Sequence, residues 1–275
     1  MKDISLITFI LLILISCQQD RKTPEIDAIP KTDWQEMNLK GNVEYIREIP
    51  YEVINGRKQA FSYYFLTIDS DEYRNQEFFF DEKGMIIKKS EYDTDNRTII
   101  FYWTPVFDEK GRIKEQDWKG INDLTKITFV YDEKGYKVEE NRYNGNYLTT
   151  KIIFEYSKKG ILEEEKLYDN NNQLRQRVLY EYNSEKQHLI KEKHVSLGGN
   201  FLNINNLKFD NITEYTYDSN GNIIEKYGRN DKNNYDLYDY RYDYKYDDKG
   251  NWIQCIETQK DGSKIIRERE IRYRK

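Results

Sequence analysis

The stretch Tyr244-Lys245-Tyr246-Asp247-Asp248-Lys249-Gly250 holds the pattern that decides the fold. Its first half alternates aromatic and polar residues, so both rings lie on one face of a β-strand. Its second half, Asp-x-x-Gly, suits a tight hairpin turn. The glycine takes a positive φ there, and the first Asp accepts hydrogen bonds from nearby backbone amides. The stretch therefore predicts a strand, a turn and the start of a second, antiparallel strand.

The same pattern recurs along most of the chain. The glycines that end the clear copies are separated by 27, 24, 25, 61 and 29 residues, and the long gap contains a degenerate copy. The copies lie at residues 78–84, 106–111, 129–135, 154–160, 180–187 (degenerate), 215–221 and 244–250. Regular spacing of this kind indicates an array of one repeated supersecondary unit.

The rest of the chain fits the same fold class. Upstream, Asn55-Gly56 separates two extended runs, residues 43–53 and 57–68, and is a strong signal of a two-residue hairpin. Only residues 32–39 are predicted to form a turn or two of helix. We therefore predict an all-β fold of roughly sixteen strands, an antiparallel meander of stacked β-hairpin repeats. So long a sheet is expected to curl into a roll or a partly closed barrel, with residues 196–210 as a long loop.

Composition indicates what must hold this sheet together. Charged residues make up 34% of the 275-residue chain and aromatic residues 15%, with 25 Tyr among them. A buried aromatic side chain removes about 150–250 Å² from water, which at ~25 cal/mol/Å² contributes about 4–6 kcal/mol before entropy is subtracted. We expect the paired rings of successive hairpins to stack side by side on a buried surface. We call this arrangement the aromatic ladder.

Charge and residue counts exclude several classes of function. The 44 Lys and Arg are interspersed with 49 Asp and Glu, and the net charge is −5. No basic stripe stands clear of acidic neighbours, so nucleic acid is not an expected partner. Two His and two Cys leave little for metal or thiol chemistry. No cofactor, metal site or catalytic residue is predicted.

The amino terminus carries an export signal. Residues 4–15 form an apolar run that as a helix would span about 18 Å, short of the roughly 30 Å hydrocarbon core. Leu14-Ile15-Ser16-Cys17 resembles the bacterial lipobox, which implies cleavage after residue 16 and lipidation of Cys17. We predict a lipoprotein signal peptide at 1–16, the lipidated Cys17 with a flexible tether at 17–33, and the β-hairpin repeat domain at 34–275. The alternative is an ordinary secretory signal with an incidental cysteine.

The lipid predicted on Cys17 would hold the protein on a membrane. Gln18 follows the cysteine, and by resemblance to the lipoprotein sorting rule this favours the outer membrane. The predicted location is the bacterial cell envelope, lipid-anchored at the outer membrane, with either leaflet possible.

Residues 215–225 and 244–253 resemble the YD repeat of Rhs proteins and teneurins, and the likeness extends over about residues 78–274. Large Rhs proteins wind many such repeats into a closed β shell around a toxin. The shell ends with a self-cleaving Asp-Pro motif. The present chain has few copies and no Asp-Pro, so the toxin-carrier function is not carried over. It looks like the short YD-repeat lipoproteins of the Bacteroidetes type.

Residues with possible chemistry are few. His188 and His194 lie near Glu185 and Glu192 and could hold a metal ion, but a solvated strand is the favoured interpretation. Cys255 is expected to be a buried small residue rather than a reactive thiol. Pairs of carboxylates are too abundant to single one out for glycoside hydrolysis.

The densest aromatic stretch, residues 235–244, is the candidate ligand site. Alternation puts Tyr238, Tyr240, Tyr242 and Tyr244 on one face of a strand. If exposed, these rings would form a platform for stacking on a sugar or gripping a peptide. The alternative is a strand of the aromatic ladder, and exposure of the rings decides between the two.

These features together predict a function. The anchor, the tether, the aromatic repeat and the lack of a recognisable catalytic constellation favour a non-enzymatic, membrane-anchored binding module for a protein or a glycan. The alternatives are a glycan hydrolase that uses one Asp/Glu pair and a purely structural component of the envelope.

Overall fold

The structure is a computed structural model, and it describes residues 31–60, 73–93, 98–120, 124–184, 188–197 and 210–275. The predicted signal peptide, Cys17, most of the tether and most of the predicted loop at 196–210 lie outside these residues. Helix α1 spans Asp33–Glu36. The strands are β1 Val43–Ile54, β2 Arg57–Ala60, β3 Asn75–Phe80, β4 Ile86–Tyr92, β5 Ile99–Phe107, β6 Ile113–Gly120, β7 Leu124–Tyr131, β8 Lys137–Asn144, β9 Tyr147–Tyr156, β10 Leu162–Asp169, β11 Leu174–Tyr182, β12 Leu189–Ser196, β13 Asn211–Tyr217, β14 Ile223–Asn230, β15 Tyr235–Tyr246, β16 Trp252–Gln259 and β17 Lys264–Tyr273.

These strands form one antiparallel sheet that closes on itself. From β3 to β17 each strand pairs with the next along the chain, and β1 pairs with both β3 and β17. The pairing of β1 with β17 runs from Val43↔Tyr273 to Glu52↔Ile265 and forms the seam of the barrel. β2 is the short hairpin partner of β1, turned at Asn55 and Gly56. The prediction of an all-β meander that curls is confirmed, and the curl proceeds to a closed barrel of sixteen strands.

The Asp-x-x-Gly turns have the predicted geometry. The Asp247 carboxylate accepts hydrogen bonds from the amides of Lys249 and Asn251 at 3.0 and 2.9 Å, and Gly250 has a φ of 84°. The strand register shifts beside each of these turns, as a β-bulge requires. A positive φ recurs at Gly84, Gly111, Gly135, Gly160 and Gly221. Because successive strands are antiparallel, all these turns lie at one end of the barrel, which we call the turn end.

The aromatic ladder lies on the inner face of the sheet. Phe78 and Phe80 of the first copy are buried, as is Phe154 of the fourth. The second copy is an exception, because Phe107 is 38% exposed. Pro105 takes the place of the first ring of the pair in that copy, so Phe107 lacks the ring partner that the other copies provide.

Tyrosine hydroxyls link successive copies of the repeat. A ring just before one turn donates to a backbone carbonyl on the strand that follows the preceding turn. These bonds join Tyr131 to Ile113 at 2.7 Å, Tyr156 to Lys137 at 2.9 Å, and Tyr217 to Leu189 at 2.6 Å. They give a reason for tyrosine, rather than phenylalanine, at these positions, because each hydroxyl satisfies a half-buried carbonyl of its neighbour.

The outer face of the wall carries cross-strand ion pairs. Lys and Arg side chains alternate with the inward-facing residues of β9 to β13 and reach Glu side chains of adjacent strands. The pairs are Lys166–Glu155, Arg177–Glu164, Lys193–Glu181 and Lys191–Glu214. These pairs place charged groups of β9 to β13 on the outer face of the sheet.

A buried ion pair crosses the seam between β1 and β17. The Arg269 guanidinium donates to the Glu48 carboxylate at 2.9 Å, and the two residues are 9% and 6% exposed. Gln76 donates to the same carboxylate at 3.1 Å, and the ring of Trp252 lies 3.5 Å from the guanidinium. Burial alone would raise the pKa of Glu48, but the charges of Arg269 and Arg267 outweigh burial and hold that pKa below its usual value.

Residues 31–42 cross the turn end and tie the first copy to the last ones. The Trp34 amide donates to the Gly84 carbonyl at 3.1 Å, and the Asn38 side chain donates to the Asn220 carbonyl at 2.9 Å. Thr32 caps α1, and the Asp33 carboxylate accepts a hydrogen bond from the amide of Ile86 at the start of β4. Thr32 and Asp33, which the sequence analysis assigned to the tether, therefore contribute to the fold.

Candidate functional site

A cavity of about 850 Å³ opens at the turn end of the barrel, between α1 and the turns that end at Gly111, Gly135 and Gly160. We call it the turn-end cavity. Its volume lies within the roughly 300–1,000 Å³ that is typical of small-molecule sites. Its walls come from α1, from Met85 after the first turn and from the ends of β6 to β11, so five copies of the repeat and the segment before β1 must come together to form it.

Aromatic side chains of the ladder form the floor of the cavity. Tyr131 and Tyr156 line it with their hydroxyls held by backbone carbonyls of the neighbouring copy. The ring of Tyr136 packs against Tyr156, with centroids 5.0 Å apart. Burial raises the pKa of Tyr131 to about 12, so this hydroxyl stays protonated at neutral pH. The floor is thus a fixed aromatic surface.

Two of the cations that line the cavity are paired with acids of the fold. Arg112 donates to Asp108 at 2.7 Å and lies over the ring of Tyr131. Lys137 donates to Glu140 at 3.1 Å. These two positive charges are therefore used by the protein itself. The remaining charged residues of the lining are of both signs, Lys31, Lys110 and Lys134 beside Asp33, Glu36 and Glu133.

Several polar side chains that line the cavity have no such role, and among them are Glu36, Tyr182 and the buried hydroxyl of Tyr136. The Glu36 carboxylate makes no hydrogen bond or ion pair with another side chain in the part of the chain that the structure describes. Burial raises its pKa, the charge of Asp33 adds to the rise, and the charges of Lys137 and Lys31 oppose it. Tyr182 is half-buried, and across the same described ranges its hydroxyl has no hydrogen-bond partner. Burial raises the pKa of Tyr182 to about 12.

The predicted tyrosine platform of β15 faces inward. Tyr238, Tyr240, Tyr242 and Tyr244 share one face, as alternation predicts, and Tyr242 is 6% exposed while the other three are half-buried. The rings of Tyr238 and Tyr240 are stacked with centroids 5.1 Å apart. The four rings therefore pack as a strand of the aromatic ladder, and their role as a ligand platform stays a prediction.

Tyr238 also explains a glycine in the neighbouring strand. A Cβ atom at Gly228 would lie 2.3 Å from the Tyr238 ring, which passes over that position. The Tyr238 hydroxyl then reaches Thr213 on β13 at 2.6 Å. One ring thus binds three strands together on the inner face.

The other candidate residues lie apart from the cavity. His188 packs against the ring of Tyr217, with ring centroids 4.6 Å apart. His194 Nδ1 lies 3.1 Å from the side-chain nitrogen of Gln176. Cys255 is buried, as expected, and burial raises the pKa of its thiol. Among the described residues, no group of three or more His, Cys, Asp or Glu side chains is arranged to hold a metal ion.

One inward-facing carboxylate has an unusual environment. Burial raises the pKa of Glu165, and the charges of Glu140 and Glu192 add to the rise. A hydrogen bond from Tyr180 and the charge of Lys137 oppose it. A raised pKa is what a general acid requires, so Glu165 is the carboxylate on which the hydrolase alternative is best tested.

Sequence reasoning missed the turn-end cavity. Its uncommitted groups, Glu36 and Tyr182, are far apart in the chain, and only barrel closure and the path of residues 31–42 bring them to one place. A signal for Tyr182 was present, because it belongs to the degenerate copy at 180–187, which lacks the glycine of the other copies.

Comparison with known proteins supports the fold. No protein-family model matches the chain, and no curated protein matches it. A solved porin-like protein from Bacteroides uniformis is similar, with 10% identity and a TM-score of 0.51, over 85% of this chain and 98% of that one. A porin-like protein from Bacteroides vulgatus has 12% identity and a TM-score of 0.47, over 84% of this chain and 98% of that one.

The Photorhabdus luminescens Tc holotoxin pore is also among the similar solved structures. It has 16% identity and a TM-score of 0.32, and the match spans 82% of this chain but 11% of the toxin chain. At 10% identity the similarity to the Bacteroides uniformis protein shows the architecture alone, and the resemblance to YD-repeat lipoproteins stays a prediction. Within the described ranges, no helix has both the length and the apolar content needed to cross a bilayer.

Proposed function

We propose that this protein is a non-enzymatic binding module of the bacterial cell envelope, anchored at the outer membrane through lipid on Cys17, and that it binds a protein or a glycan. The observation that carries the binding role is the turn-end cavity. It combines a fixed aromatic floor with polar groups that the fold does not use, among them Glu36 and Tyr182. Both groups line the cavity and remain available for hydrogen bonds with a ligand.

The outer wall supports a barrel that stands in water beside the membrane. Charged side chains on a lipid-facing strand cost about 2–4 kcal/mol each for Arg and Lys near the bilayer centre. The ion pairs of β9 to β13 would incur that cost several times over. Anchoring through a lipid and a tether avoids it, which is the arrangement that the lipobox-like residues 14–17 imply.

The binding role is tested with the full-length protein in detergent, in a pull-down from envelope extract and on a glycan array. We expect saturable retention of a defined envelope protein or a defined glycan. The recovered ligand should be chemically intact, without cleavage. Failure of both assays would contradict the binding role and favour a structural component. Cleavage of a glycan that is lost on Glu165→Gln would contradict the non-enzymatic role and favour the hydrolase.

A further inference from the structure

We propose that the turn-end cavity is a carbohydrate site, in which the ring and hydroxyl of Tyr182 and the carboxylate of Glu36 contact a neutral oligosaccharide. This inference rests on the proposed binding function and names the class of ligand and the residues that hold it. The proposed site lies at the turn end, at the ends of β6 to β11, and does not include the tyrosines of β15.

Tyr182 differs from the equivalent tyrosines of the other copies. Tyr131, Tyr156 and Tyr217 occupy the same position before their turns, and each donates its hydroxyl to a carbonyl of the preceding copy. Over the described residues Tyr182 makes no such bond, although it too lines the cavity. The Tyr182 hydroxyl is therefore available at the cavity, where a bound hydroxylated ligand can pair with it.

Glu36 provides the second contact. It lies on the exposed side of α1, where the helix borders the cavity, and its carboxylate is not engaged by a side chain of the described chain. A carboxylate accepts several hydrogen bonds, and those formed with a charged acceptor are stronger than neutral ones. Adjacent hydroxyls of a sugar ring supply donors that suit it.

The balance of charges selects a neutral hydroxylated ligand. The lining mixes both signs, so an anion drawn by its lysines would also meet the carboxylates of Asp33, Glu36 and Glu133, and Arg112 and Lys137 are already paired with acids. A cation would meet Lys31 and Lys110, which also line the cavity. A purely apolar ligand would leave Glu36 and Tyr182 desolvated without partners. A sugar places apolar C–H faces against the aromatic floor and hydroxyls toward the polar groups.

The test uses the full-length protein and a panel of neutral oligosaccharides built from glucose, mannose, galactose or xylose, with binding measured by calorimetry. We expect at least one of these probes to bind. Tyr182→Phe should then weaken binding about 3- to 10-fold, as expected for loss of a neutral hydrogen bond, and Glu36→Gln about 10-fold or more. Glu36 is exposed on a short surface helix, so Glu36→Gln is expected to keep the fold intact. This variant therefore still tests the site if Tyr182→Phe disturbs folding.

Tyr217→Phe is the matched control. It removes the hydroxyl from the equivalent ring of the next copy, whose bond to the Leu189 carbonyl belongs to the fold. This variant should lower the thermal midpoint and leave oligosaccharide binding unchanged. Tyr182→Phe should leave the thermal midpoint unchanged and weaken oligosaccharide binding.

Three results would overturn the carbohydrate site. The first is unchanged binding of the oligosaccharide in both Tyr182→Phe and Glu36→Gln. The second is retention of an envelope protein while none of the oligosaccharides binds, which would leave the proposed binding function standing. The third is the absence of any ligand, protein or glycan, in which case the proposed function fails together with the site.

Discussion

Replacing Arg269 by Met is expected to lower the free energy of unfolding by about 3–5 kcal/mol, the usual cost of removing one partner from a buried ion pair. Arg269 lies on β17 directly opposite Glu48 on β1, and both side chains are buried. The substitution leaves the Glu48 carboxylate without its main counter-charge at the seam of the barrel. Gln76 still donates one hydrogen bond to that carboxylate, which replaces only part of the lost interaction.

The measurement is the urea midpoint of the full-length protein, followed by tyrosine and tryptophan fluorescence. Glu268→Gln is the matched control, because Glu268 is the neighbour of Arg269 on the outer face and pairs with the exposed Lys58. Loss of an exposed ion pair costs about 0–1 kcal/mol. The double variant Glu48→Leu/Arg269→Met should recover most of the loss, since no charge is left buried alone. Equal, small effects of Arg269→Met and Glu268→Gln would contradict a buried seam.

Phe80→Ala is expected to lower the free energy of unfolding by about 3–5 kcal/mol, the range for truncating a buried phenylalanine. Phe80 is 2% exposed and packs against Phe78 and Trp34, with ring centroids 6.4 Å apart in both contacts. Its removal opens a cavity in the core cluster that also contains Val43 and Ile46 of the seam strand β1. The effect is large because the charged outer face offers little other burial.

Phe107→Ala is the control for this prediction. Phe107 is the same residue type at the same position of the next copy, but it is exposed. Its truncation should cost about 1 kcal/mol or less, as for most surface substitutions. Both variants are compared by urea denaturation of the full-length protein. If Phe107→Ala proved as damaging as Phe80→Ala, the inward ladder would not be the main source of stability.

The parts of the fold that were predictable are those fixed by local chemistry. The Asp247-to-Gly250 turn needs one carboxylate, one positive φ and two flanking strands, all within a few residues, so its pattern could be read directly. The Asn55-Gly56 hairpin is local in the same sense. The inward orientation of the rings follows from strand alternation and from the need to bury them. Each of these features was anticipated from a single stretch of sequence.

Closure of the barrel was less accessible, because it depends on pairing between the first and last long strands. Nothing in the local pattern of Val43–Ile54 or Lys264–Tyr273 identifies the other as its partner. The buried Glu48–Arg269 pair reads in the sequence as one of many interspersed charges. The cavity depends in turn on closure and on the path of α1, so Glu36 drew no attention. Tyr238 to Tyr244 stood out instead because their density is visible without a structure.

Cross-linking across the seam tests the central claim most directly, namely that β1 and β17 pair and close the barrel with the rings inside. Ile49→Cys/Glu268→Cys places two cysteines at directly opposed positions, close enough for a disulfide to form. Ile49→Cys/Gln254→Cys is the control, with the second cysteine one strand further away, on β16. On mild oxidation, peptide mapping should find the disulfide in the first variant and not in the second. Absence of the disulfide from the first variant, in protein that is otherwise folded, would contradict a closed barrel.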